Sequence, residues 1–200
     1  MPALPRVSAK TCAWIEDGSL LPIFLPKQIT QNAYPANWVR SDWGRHIDAG
    51  QIKHHPFPGR WVVVELIRKP DWNDPKGYGK DRLARELGLQ TRFKVSWDHL
   101  RATLCPQTAT LWVLKKTAVR PLTAEEWNFF GNVLLELNRL HGTQFQDLGA
   151  TASWEWTENA FGSDCRVLVG HRDGGGLASV SRIWSNDPGG GVGFRLLGVL

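Results

Sequence analysis

Between Trp154 and Leu196 the chain carries almost no helical pattern. Trp154-Glu155-Trp156-Thr157-Glu158-Asn159 is followed by short pieces bounded by glycine. Two turns stand out, Asp173-Gly174-Gly175-Gly176 and Asp187-Pro188-Gly189-Gly190-Gly191, and the stretch closes with Val192-Gly193-Phe194-Arg195-Leu196. Glycine enters turn conformations that other residues resist, and apolar pieces of this length between turns are strand-sized. Short strands rich in Trp and small polar side chains need a scaffold to pack on, and the preceding residues must supply it.

The scaffold is traceable backwards. Thr123-Ala124-Glu125-Glu126 has the form of a capping box, and Trp127, Phe130, Leu134 and Leu137 recur on one helical face until Gly142. Trp61 to Ile67 is a β-branched run bounded by Gly59 and Pro70 and predicts a buried strand. Lys80 to Leu87 predicts a short helix stopped by Gly88. Ser96 is a candidate N-cap for a helix from Trp97 to Leu104, with Pro106 as its stop and Thr110–Leu114 as a strand. Cys165 to Val169 predicts a strand, as do Leu177–Trp184 and Val192–Leu196. In Leu177–Trp184, alternation places Ser179 and Ser181 on one face and Val180, Arg182 and Trp184 on the other.

Two hundred residues suit one domain, or one domain with an N-terminal elaboration. Residues 1–59 hold Pro2, Pro5, Pro22, Pro26, Pro35, Pro56 and Pro58 and read as a loop-rich extension packed on the core, in extended segments and turns. Its apolar run, Leu20–Leu25, packs on the main core or in a subunit contact. Residues 60–200 form the main domain.

Charge and composition exclude several classes. The 24 Lys and Arg give a net charge of +5, but they are scattered with no run longer than two, which weighs against a nucleic-acid patch. Cys12, Cys105 and Cys165 are far apart and odd in number, fitting neither a zinc site nor a disulfide framework. His46 with His54-His55 lacks accompanying carboxylates or thiols, and Asp71, Asn73 and Asp74 read as turn formers rather than calcium ligands. No metal or cofactor is expected. Asp164, His171 and Ser179 or Ser181 have triad chemistry but no nucleophile elbow around either serine. No apolar signal region opens the chain and no stretch is long enough for a membrane span. The expectation is a chain without signal peptide or membrane association, cytoplasmic or phage-associated.

Val95-Ser96-Trp97-Asp98, Val119-Arg120-Pro121-Leu122-Thr123-Ala124-Glu125-Glu126-Trp127, Ser153 to Asn159, Arg166-Val167-Leu168 and Val192 to Leu196 occur in an order that resembles the formylglycine-generating-enzyme-like (sulfatase-modifying factor) superfamily, a variant of the C-type lectin fold. Within it, the tail is most similar to the variable proteins of diversity-generating retroelements. The resemblance implies an α+β, C-type-lectin-like fold with mixed antiparallel sheets, two main helices and long loops, and a C-terminal variable region at about 160–195. It also implies a non-enzymatic protein that displays a diversified surface to a protein or other macromolecular ligand, with oligomerisation left open. The side chains expected at that surface are Trp156, Asn159, Ser163, Asp164, His171, Asp173, Ser179, Ser181, Arg182, Trp184, Ser185 and Asn186. Each of the polar ones reads equally as solvated surface, and the tryptophans as core pillars. Trp97, Trp127 and Trp154 are assigned to the core, and Arg120 and Arg195 to buried structural roles. The alternative within the resemblance is a metal oxidase of the formylglycine-generating or sulfoxide-synthase kind. Cys165 stands alone in the tail, however, where those oxidases carry a cysteine pair.

Overall fold

Three consecutive valines decide how the layers stack. In a computed structural model that describes residues 2–27, 51, 55–74, 76–78 and 81–200, Arg60–Glu65 forms strand β2. Val62 and Val64 face one hydrophobic cluster and Val63 faces another. A strand buried on both faces reads as an unbroken apolar run, as this one does. Among the described residues the chain is α+β, with two four-stranded sheets.

The first sheet pairs β1 (Leu20–Leu25), β2, β8 (Leu196–Val199) and β3 (Val119–Pro121) in that spatial order, all antiparallel. The second orders β6 (Val180–Trp184), β5 (Cys165–Val169), β4 (Trp154–Phe161) and β7 (Val192–Gly193), with β4 and β7 parallel. The predicted last strand is thus two strands: Val192 and Gly193 belong to one sheet and Leu196 to the other. The change of sheet happens at Phe194-Arg195, both buried.

Three helices flank the first sheet. Ala9–Glu16 forms α1, capped by Ser8, whose hydroxyl accepts from the Thr11 N–H. The proline-based reading of residues 1–59 as extended segments and turns is corrected here. Ser8 followed by residues that fit a helix was the overlooked signal, and burial of Trp14 against Trp112 supplies the packing. Arg82–Glu86 forms α2, capped by Asp81 and followed by Gly88 at φ +69°. Helix α3 is composite: Trp97–His99 and Cys105–Trp112 are α-helical, with a π-helical turn at Leu100–Leu104 between them.

Pro106 therefore does not stop the helix, and Thr110–Leu114 is not a strand. The Cys105 N–H donates to the Leu100 carbonyl, five residues back. The widened turn lets Pro106 enter as though at a new helix start, where its missing N–H costs no bond. Tertiary packing overrides the strand propensity beyond it, since Trp112 is buried and its carbonyl accepts a 2.6 Å bond from the Thr11 hydroxyl.

Ala124–His141 forms α4 as predicted. Thr123 and Glu126 complete the reciprocal capping box, and Gly142 ends the helix at φ +65°. Its Trp127, Phe130 and Leu134 pack with Val62, Val64, Val167 and Val169, so α4 sits between the two sheets' apolar faces. No helix among the described residues is long and apolar enough to cross a membrane. His46 and His54 lie outside the described residues.

Candidate ligand-binding surface

Strand β4 carries the interior framework. Glu155 is fully buried, and its carboxylate accepts from Trp127 Nε1 at 2.6 Å and from Arg195 at 3.2 Å through both Nε and a terminal nitrogen. Arg195 also donates to the Glu65 carbonyl at 2.6 Å. The Glu65 carboxylate accepts two bonds from Arg92, at 2.6 and 2.7 Å, and one from the Leu196 N–H at 2.8 Å. Arg92 completes the series on Asp81, the α2 cap. Buried charges are tolerable only when paired and hydrogen-bonded like this. The series joins α4, β4, the Phe194-Arg195 crossover, β2 and α2. Arg120 has a related role: its guanidinium forks onto Glu126 at 2.6 and 2.7 Å.

Three expected surface residues belong to this interior. Trp156 is 1% exposed, and its Nε1 donates to the Val95 carbonyl at 2.7 Å. Asn159 is fully buried; it accepts the Ala124 N–H at 2.8 Å and donates to Glu125, closing the first turn of α4. Ser179 is 1% exposed and fills space that a side chain at Gly174 would need. Each was placed at the surface because it is polar or aromatic and lies beside turns. β4 is buried on both faces, however, and Ser179 falls just before β6 rather than on it. Asn159→Ala is expected to cost about 1–3 kcal/mol in urea unfolding, because the Ala124 N–H is left dry.

The other nine lie along β6 and the turns at its two ends, with Ser163, Asp164, Asp173, Ser181, Arg182, Trp184 and Asn186 exposed and His171 and Ser185 half-buried. β5 and β6 pair from Cys165 opposite Trp184 to Val169 opposite Val180. The strand alone spans roughly 13 Å at about 3.3 Å per residue. At its far end, Ser163 and Asp164 occupy the β4–β5 turn that Gly162 opens at φ +63°. There the Ser185 N–H donates to the Asp164 carbonyl at 2.9 Å, and the Asp98 N–H donates to the Ser185 carbonyl at 3.1 Å. These bonds fix the backbone of two turns while Trp184, 59% exposed, and Asn186 remain outside.

In the middle, Arg182 lies 4.0 Å over the Phe161 ring. At the near end His171 stacks on Trp154 with ring centroids 5.0 Å apart, and its Nδ1 accepts the Asp173 N–H. Sequence reasoning missed one neighbour of the strip and one exposed ring beyond it. Arg166 lies 3.9 Å over Trp97, on the β5 face opposite Val167, and period-two alternation through Cys165–Val169 was the available signal. Trp72, 58% exposed in the 71–74 turn, had no local marker.

Lys69 supports the near end from inside. It is fully buried, and its Nζ lies at hydrogen-bonding distance from the Leu148, Ser153 and Gly170 carbonyls and the Thr151 hydroxyl, at 2.5 to 3.2 Å. Thr151 in turn accepts the Arg172 N–H on its carbonyl, so the 171–174 turn rests on the lysine's own partners. Burial pushes Lys69 down to about 8, with Glu155 nearby pulling the other way. Under the far end, burial holds the Glu158 carboxyl above its usual range against Arg101, Arg120 and Arg166.

Asp71 and Asp74 serve the backbone: Asp71 accepts the Ala152 N–H and Asp74 the Lys76 N–H. Among the described residues no three His, Cys, Asp or Glu side chains gather as a metal-binding group.

No family model matches the chain. No curated protein matches it. Among solved structures it is similar to Treponema denticola variable protein 1, at 12% identity over 74% of this chain and 91% of that one, with a TM-score of 0.39.

Proposed function

We propose that this chain is a non-enzymatic binding protein of the diversity-generating-retroelement type, with a C-type-lectin-like fold. Its variable positions are the exposed members of the β6 strip, and its ligand is a protein or other macromolecule. The observation that carries this reading is the division of labour within one short segment. The tail's buried residues, Glu155, Trp156 and Asn159 on β4 with Ser179 and Arg195, hold the frame, while Ser181, Arg182, Trp184 and Asn186 project from β6 and the turn after it in the same sheet. A surface that changes its side chains without changing its fold needs that separation. An exposed Trp with adaptable Ser, Asn and Arg neighbours has the composition of a recognition surface.

The test is a displayed library randomised at Ser163, Asp164, Ser181, Arg182, Trp184 and Asn186, selected against unrelated purified proteins. Exposed substitutions of this kind typically change stability by under about 0.5 kcal/mol each. Most members should therefore keep the parent's thermal transition, and binders to at least one target should emerge. Widespread unfolding, or a folded library without binders, would overturn the reading. The retroelement origin is checked separately, by a reverse-transcriptase gene beside the coding sequence and an imperfect copy of codons 160–195 differing at adenines.

A further inference from the structure

On the other side of the 186–190 turn lies a trough distinct from the strip. One part, of about 630 Å³, is bounded by Trp72, Lys76, Arg85 and Gly190. A second, of about 560 Å³, runs on to His99, Asn186 and Pro188. Leu89, Gln90, Thr91, Phe93 and Lys94 line both, so they form one continuous depression.

Its free charge is predominantly positive. Lys76, Arg85 and Lys94 are exposed and have no carboxylate partner among the described residues. Of the two acids along the trough, Asp81 is paired with Arg92 and caps α2, while Asp74 accepts only the Lys76 N–H among the described residues and keeps its charge, so three free cations face one free carboxylate. Trp72 adds a large exposed ring beside a floor of Tyr78 and Phe93, whose rings are 5.2 Å apart. Lys94 sits in both parts at φ +61°, a left-handed backbone that a lysine adopts only where its surroundings impose it.

We propose that this trough binds an acidic, extended segment of a partner protein. Carboxylates would pair with Lys76, Arg85 and Lys94, and an apolar side chain would cover Trp72. Two connected hollows, each roomy enough for more than one side chain, suit a run of successive residues of one strand-like peptide. Three separated cations beside a single exposed ring give too sparse a positive track for a phosphate backbone. The trough and the strip share only Asn186, so this site stands whether or not the strip is diversified.

The experiment is fluorescence anisotropy with a fluorescein-labelled peptide of repeated Glu-Leu-Asp units. The full chain is compared with Lys76→Glu/Arg85→Glu/Lys94→Glu and with a control reversal far from the trough, Lys115→Glu/Lys116→Glu. The expected result is binding by the parent and the control, and at least a tenfold loss in the trough variant. Should the triple reversal lose its thermal transition, the three Gln substitutions take its place, with a several-fold loss expected. Equal binding by the trough variant, an equal loss in the control, absence of peptide binding, or tighter binding of single-stranded DNA or a heparin oligosaccharide would each overturn the proposal. The β6 library leaves these side chains unchanged, so failure of one idea is distinguishable from failure of the other.

Discussion

Arg195→Ala is expected to lower the unfolding free energy by roughly 3–5 kcal/mol, because it strands the buried Glu155 carboxylate without its counter-charge. Neither side chain of the pair is more than 1% exposed, so water has no ready route to replace the guanidinium. The Glu65 carbonyl loses its donor in the same substitution. The charge left behind, rather than the attraction lost, dominates the cost. Replacing both partners together, as Glu155→Met with Arg195→Met, should therefore cost less than the sum of the single changes. Urea unfolding of the parent, Glu155→Met, Arg195→Met and the double variant measures it. A loss below about 1 kcal/mol for Arg195→Ala would mean that the crossover between the sheets is not sealed.

Lys69→Met should be comparably damaging, by on the order of 3–5 kcal/mol near neutral pH, since it takes the shared donor from three buried carbonyls at once. The effect also carries a pH signature. In the unfolded chain Lys69 titrates near 10.5 and in the fold near 8, so between those values the unfolded state holds more protons. Stability from this group therefore rises with pH across that window. Cys105 works in the opposite direction: burial pushes its thiol from 9.0 up to about 11, and stability from it falls with rising pH. The parent curve mixes the two. The difference between parent and Lys69→Met isolates the lysine, and the variant should show the less positive slope from pH 8 to 10.5. Parallel curves would remove Lys69 from its buried position.

The elements most legible in the sequence were those whose determinants are local. The capping box at Thr123 and the apolar face of α4 are spelled out within one helix, and the valine run of β2 announces burial on both sides. Helix α3 was misread because Pro106 is a local stop signal that a π-helical turn disarms, and the pressure for that turn comes from Trp112 and its contact with Thr11, far away in sequence. The same limit applies to the site. Asn159 and Asn186 are alike as residues beside turns, and what separates them is whether the start of a helix lies within reach. Lys69 carried no warning at all, since its four oxygen partners come from residues 148 to 170. Period two and the glycine turns were enough to mark a strand ending at Trp184, but not that it is an edge strand exposing Ser181 on one face and Arg182 and Trp184 on the other.

Strand β8 is inserted between β2 and β3, so the middle of the first sheet is occupied by the strand synthesised after both its neighbours. A ribosome must therefore finish everything upstream, including the whole 160–195 region, before that sheet can close. Any frameshift in the tail deletes a central strand, not merely a decorated edge. Only chains read in register through the tail carry β8, and without it β2 and β3 lose the neighbour they share.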